Sequence, residues 1–322
     1  EDLPPPAGPS TMGPAFFIAD PASQEALMDE TDAQPPWQRL GSKFTLGLRS
    51  RAEADWLPHD DAFGNHKSRA DQLSRKASLL DTSRHEVFAC DGTSLAACAE
   101  VRDMVKAHLE THHDGRSDVD AARLSAHSDM HPLEQAARAV PEDLLVLAPR
   151  DRAPDAAVID WVLVSAALAF PAHWVLAEKM GRPLAGIHEP VPHYEERLER
   201  PMDRFFTAMT VGPISHRWNW SVVTTDQLFT PHRMRRMPLA ENAGLDQIFL
   251  RMESQTLRKL PLSGHILFTI RTHVLPLSRW AEQDGAIRSL VEMLDEMSPQ
   301  TCGYKGVPMY EDALRAFVAR AS

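Results

Sequence analysis

Apolar and polar residues alternate in "KFTLGLRS" (43–50), and a period of two predicts a strand with one buried face. The alternation returns in "HRWNWSVVTT" (216–225), "QIFLRMESQ" (247–255) and "HILFTIRTHVL" (265–275), with "TLRKLPLSG" joining the last two. The apolar run "AAVIDWVLVSAALAF" (156–170) predicts a buried strand. Elsewhere the period lengthens. Leu73, Leu79 and Leu80 stand at roughly helical spacing within 66–83, and 94–114 is a stronger amphipathic helix with Ser94 as its cap. "EQAARAVPEDLLVLAPRD" passes from helix into a short strand near Leu144–Leu147. "PAHWVLAEKMG" (171–181) predicts a helix opened by Pro171 and closed by Gly181. Residues 193–209 read as helical apart from Pro201, which should start a new helix or kink this one, and the tail (281–321) returns to helix. Strands segregated from helices predict an α+β fold around an antiparallel sheet.

Proline changes the picture at the N-terminus. Residues 1–40 open with "EDLPPPAGPS" and read as a Pro-rich arm, with Phe16, Phe17 and Trp37 as its anchors, ahead of one domain over 41–322. The longest apolar stretch, "WVLVSAALAFPAHWVLA", is broken by Ser165, Pro171 and His173, so it predicts core and not a membrane span. Hydrophobic residues at 43% and charged residues at 25% place the chain among globular proteins. A net charge of −11 without a basic block argues against a nucleic-acid partner. Cys90, Cys98 and Cys302 are too few and scattered for a disulfide framework, a four-thiolate metal site or an all-cysteine iron–sulfur cluster. With no secretory leader visible, a reducing cytoplasm is the expected compartment. Neither a G-x-S-x-G elbow, a Walker loop nor a clean G-x-G-x-x-G after a strand occurs, which excludes a Rossmann-type NAD(P)H or flavin site.

Two groups of residues carry candidate chemistry, and a third reads as structural. His108 and His112, four apart, have the spacing of a zinc pair, but the surrounding order favours a solvated helix end interacting with the dipole. In 216–221, Arg217, Asn219 and Ser221 share one side of the strand, and Trp218 and Trp220 the other. Arg251 and Glu253 alternate with Met252, Arg258 and Lys259 follow, and Arg271 shares a side with His273. Converging guanidiniums suit paired carboxylates or phosphates, while cross-strand pairing with Glu253 and Asp226 explains them equally well. His188 stands beside Pro190 and Pro192 on stiff backbone, between segments carrying Phe170, Trp174 and Leu176 and then Phe205 and Phe206. An apolar slot, one rigid imidazole and arginines for two carboxylates are what a heme requires of a protein.

Longer motifs sharpen this. "FTLGLRSRAEADWLPHDD" (44–61), "FPAHWVLAEKMGRPLAGIHEPVPHYEERLERPMDRFF" (170–206), "HRWNWSV" (216–222), "LRMESQTLRKLPLSGHILFTIRTHVLPL" (250–277) and "YKG" (304–306) resemble the heme-dependent oxidative N-demethylase family. Its members are PAS-like heme subunits of dimethylamine-oxidising monooxygenases. The resemblance implies heme b held by a histidine in a PAS-like α/β sandwich. It further implies O₂ as co-substrate, loss of a methyl group as formaldehyde from a small secondary amine, and electrons from NADPH through partner subunits carrying FMN and a 2Fe–2S cluster. His188, in "IH-x-P-V-P", becomes the expected axial ligand to the iron, with His193 behind it. Arg217 and Asn219 fall in "R-x-N-W", and Arg251, Arg258 and Arg271 in the later motifs; these five are expected around the cofactor. Trp220 and Tyr194 are the expected aromatic faces, and Glu253 the carboxylate, of a pocket for the substrate cation. Met252 and Ser254 depart from the family pattern, and the Pro-rich arm lies outside it. A PAS-type heme or ligand sensor without turnover is the alternative.

Overall fold

The computed structural model describes residues 35–40, 47–59, 67–113, 123–124, 126–151, 159–188, 199–232 and 237–321. Seven strands form one sheet in the order β1-β5-β6-β7-β3-β4-β2, with every pairing antiparallel. They are β1 (Arg49–Arg51), β2 (Phe88–Cys90), β3 (Asp143–Asp151), β4 (Ile159–Ala167), β5 (Ile214–Val223), β6 (Phe249–Lys259) and β7 (Ile266–Pro276). The α+β expectation therefore holds. Strand β6 runs on through Lys259, so "TLRK" belongs to the sheet and the turn begins only at Leu260. There Gly264 takes a φ of 70°, and the Glu100 carboxylate accepts the N–H groups of Leu262 and Ser263 at 2.6 and 2.9 Å.

Register decides which side chains share a face. Arg217 pairs with Gln255, which pairs with Ile270; Asn219, Glu253 and Thr272 form the next such row. Trp218, Ser254 and Arg271 form the intervening row and point the other way.

Helices cover the Trp218 side. Helices α1 (Pro36–Leu40), α2 (Arg69–Thr82), α3 (Arg84–Val87), α4 (Leu95–His112) and α5 (Pro132–Ala139) precede β3. Val101, Val105 and Leu109 of α4 and Leu133 and Ala136 of α5 bury Leu144, Val146 and Leu267. Farther along the same side, Trp220, Leu250, Met252 and Leu275 meet the C-terminal helices through Ile287, Leu290 and Leu314. Trp37 of α1 is fully buried there, 5.1 Å from Trp280 between ring centroids, and donates to the Ala286 carbonyl. Phe16 and Phe17 lie outside the described residues. The opposite side is covered over part of its width by α6 (Leu176–Lys179), α7 (Leu184–His188) and α8 (Glu199–Ala208), which bury Leu145, Leu147, Leu163, Leu257 and Ile266. Among the described residues no helix is long and apolar enough to cross a membrane.

Two local expectations are corrected. Ser94 does not cap α4; its hydroxyl bonds to the Asp91 carbonyl and to Ser165 Oγ, and Asp91 accepts the Thr93 N–H instead. Residues 171–181 are helical only over Leu176–Lys179, because the backbone around Pro171–His173 is committed to Thr230: His173 N–H donates to its carbonyl and Thr230 N–H to that of Pro171. His173 takes a φ of 56° in that arrangement. Pro201 stands near the start of a described helix, as expected of it. It sits in the first turn of α8, where its missing N–H has no intrahelical partner to lose.

Candidate functional site

The chain reaches His188 along the edge of β4. Gly181, at φ 73°, donates its N–H to the Leu163 carbonyl at 2.8 Å, and Leu163 N–H donates to the Arg182 carbonyl at 3.2 Å. Pro183 then bridges Val162, so residues 181–183 behave as a short extension of the sheet. From this fixed edge α7 turns its apolar residues Leu184 and Ile187 into the cluster formed by Leu163, Leu257, Met202 and Phe206. Lys179 donates its ammonium to the Ile187 carbonyl at 3.2 Å. His188 is the last residue of α7; its side chain, His193 and Tyr194 lie outside the described residues.

The sheet face beneath α7 and α8 changes character along its width. Leu257, Phe268 and Ile270 make an apolar wall with Phe205 and Phe206. Beside them the Arg217 and Asn219 rows bring up Gln255 and Glu253. Glu253 accepts hydrogen bonds from Gln255 Nε2 at 3.0 Å, Asn219 Nδ2 at 3.3 Å and Arg251 Nε at 3.4 Å. Arg217 Nε is sealed from solvent and makes no hydrogen bond among the described residues. Burial pulls the Arg217 guanidinium below the ordinary arginine value, and the charge of Glu253 opposes this. A guanidinium N–H sealed from solvent and left unbonded calls for an acceptor, best an anionic one. An apolar wall next to such a cation fits a flat, mostly apolar group with carboxylates on its edge, and heme is such a group.

The remaining candidates are not brought together. Arg251 lies on the Glu253 side but is 2% exposed, and its terminal nitrogens donate to the carbonyls of Phe170 and Leu228 at 2.6 and 3.2 Å. Its fork is spent on backbone. Arg258 and Arg271 lie on the opposite face, by the parity of their positions. Arg258 pairs with Glu53 at 2.9 Å over the Trp56 ring, and Arg271 lies 3.7 Å from Glu142. The expected convergence of arginines therefore fails across the sheet. Trp220 also lies on that face, under the Lys305 ammonium at 4.9 Å, so it cannot share a pocket with Glu253. The alternation of the strands already separated Trp220 from Asn219.

At the end of α4, His112 is part-exposed, but His108 and the following His113 are buried against Leu57. His108 is 3% exposed, its Nε2 accepts the Leu57 N–H, and His113 Nε2 bonds to the Leu57 carbonyl at 2.8 Å. Burial first, then the neighbouring imidazoles of His112 and His113, push His108 down to about 4. No group of metal ligands forms among the described residues. Sequence reasoning also missed Gln255, which strand parity with Glu253 would have found, and Lys179, which carries no local signal.

A family model described as "Haem-dependent oxidative N-demethylase, alpha subunit-like" matches residues 47–315. It takes in the whole sheet, α7 and the face on which Arg217, Asn219 and Glu253 are gathered. The chain belongs to the heme-dependent oxidative N-demethylase, alpha subunit-like family.

Proposed function

We propose that this chain is the heme-binding, PAS-like catalytic subunit of a cytoplasmic monooxygenase that demethylates a small secondary alkylamine, dimethylamine being the first to test. The observation that carries the reading is Arg217 on the sheet face that α7 and α8 partly cover, its Nε sealed from solvent and without a hydrogen bond among the described residues. On this reading His188 would hold the iron, and Arg217, with Asn219 beside it, would take a carboxylate of heme b. The bound heme supplies reductive activation of O₂ and oxidation of an N-methyl group.

The chain's own residues do the rest. Leu257, Phe268, Ile270 and Phe206 exclude water along the apolar wall. Glu253 offers a carboxylate to the alkylammonium, and its three donors hold it in one orientation. Arg251, tied to two carbonyls, makes that orientation rigid. An amine held there by its N–H presents a methyl carbon in a defined direction. Oxidation of that methyl group would release it as formaldehyde and leave the primary amine. The family's alpha-subunit description supports a multi-subunit assembly; on this reading partner subunits would deliver electrons from NADPH through FMN and a 2Fe–2S cluster.

The test is the visible spectrum of the purified protein reconstituted with heme. Wild type should show a Soret band, and His188→Ala should lose it or release heme readily with unchanged far-UV circular dichroism. Retention of the wild-type ferric spectrum would sink the assignment.

A further inference from the structure

We infer that Lys179 is a positioning residue for His188, fixing with a charged donor the backbone one peptide before it. The inference rests on the reading of His188 as the iron ligand.

Lys179 ends α6, is 8% exposed, and reaches eight residues along the chain to the Ile187 carbonyl at 3.2 Å. Burying an ammonium is costly, and an aliphatic side chain would fill the same space more cheaply. What the ammonium adds is a donor at one particular atom. The last four carbonyls of a helix have no partner within it, and the described part of α7 is the short turn Leu184–His188. An outside donor steadies so short a turn, and a cation is the donor that best matches the negative end of a helix dipole. The near end of this segment is fixed to β4 by the bonds of Gly181, Arg182 and Pro183. Lys179 ties down the far end, one peptide before His188. Hydrogen bonds outside the ligand set orient metal ligands and tune the metal. A positive charge there also favours the reduced iron, which carries one charge fewer.

Three variants read position and charge separately: Lys179→Met removes both, Lys179→Gln removes the charge and keeps an N–H donor, and Lys179→Arg keeps both. Each is reconstituted with heme and followed by the rate of heme transfer to apomyoglobin and by the reduction potential. Lys179→Met should release heme about tenfold faster or more, the scale of one charge-assisted hydrogen bond, and shift the potential downward. Lys179→Gln should lower the potential with a smaller effect on release, and Lys179→Arg should stay near wild type. Should Lys179→Met fail to fold, the Gln and Arg variants carry the same comparison. Wild-type potentials in both the Met and Gln variants overturn the inference, as does equal heme loss in Met and Arg. His188→Ala runs alongside: if it keeps the wild-type spectrum the ligand assignment fails, whereas its loss of heme with unaffected Lys179 variants refutes the positioning role alone.

Discussion

Arg217 and Arg258 occupy motifs of equal prominence in the sequence, yet they sit on opposite faces of the sheet with different partners. Arg217→Leu should accelerate heme loss, since a hydrogen bond to a charged group contributes about 1.5–3 kcal/mol. Arg258→Leu should instead lower the melting temperature by loosening Glu53 and Trp56, with heme loss no faster than in a variant of the exposed Lys106. Heme-transfer rates and thermal melts on the three proteins check both. Glu253 supports a third expectation. Glu253→Gln should raise the dimethylamine concentration needed to perturb the heme spectrum while leaving heme content unchanged. Titration with dimethylamine and with uncharged dimethyl ether is the measurement. Equal response of the wild type to both would mean that no cation pocket exists, and no response to either would favour the sensor alternative.

Elements in this fold are joined by buried ions as well as by apolar contact. Lys76 of α2 donates to the carbonyls of Val140 and Glu142 and lies 3.7 Å from Asp143, while Asp143 accepts the N–H groups of Ala169 and Phe170. One pair thus ties α2, β3 and the end of β4 together. Burial pushes Lys76 down to about 8 and Asp143 up to about 6. Lys76→Met leaves Asp143 without its cation and should cost roughly 3–5 kcal/mol in a urea unfolding series. The pattern of the sequence found the helix and the strand on either side of this pair. It did not reveal the pairing, because Lys76 lies in a segment whose charges look solvated and its partner is distant along the chain.

For the whole molecule, the buried histidines set the acid limit. His216 and His273 are both held at about 3, by burial first and then by neighbouring arginines, and His108 at about 4. Each is depressed below the unfolded value of about 6.5, so between the two values the unfolded chain binds more protons. Their contribution is intact above about pH 6.5 and is lost as the pH falls toward 3. Melting temperature should drop steadily over that window, and His273→Gln should flatten the slope. An unchanged slope would show that these imidazoles are already protonated in the folded state.

Alternation along 216–225, 247–255 and 265–275 determined the central strands and which side chains share a face, because a pleated strand sends successive residues to opposite sides. The long motifs determined the family by themselves. The tertiary structure decided the rest, for reasons that no local pattern contains. The helix expected over 171–181 shrank to four residues because Thr230, far along the chain, claims the backbone around Pro171. The arginines that looked convergent are divided because the sheet lies between them, and Arg251 turned inward because two carbonyls from separate loops needed a donor. Periodicity can place a residue on a face; which distant partner then takes its charge is set only when the chain packs.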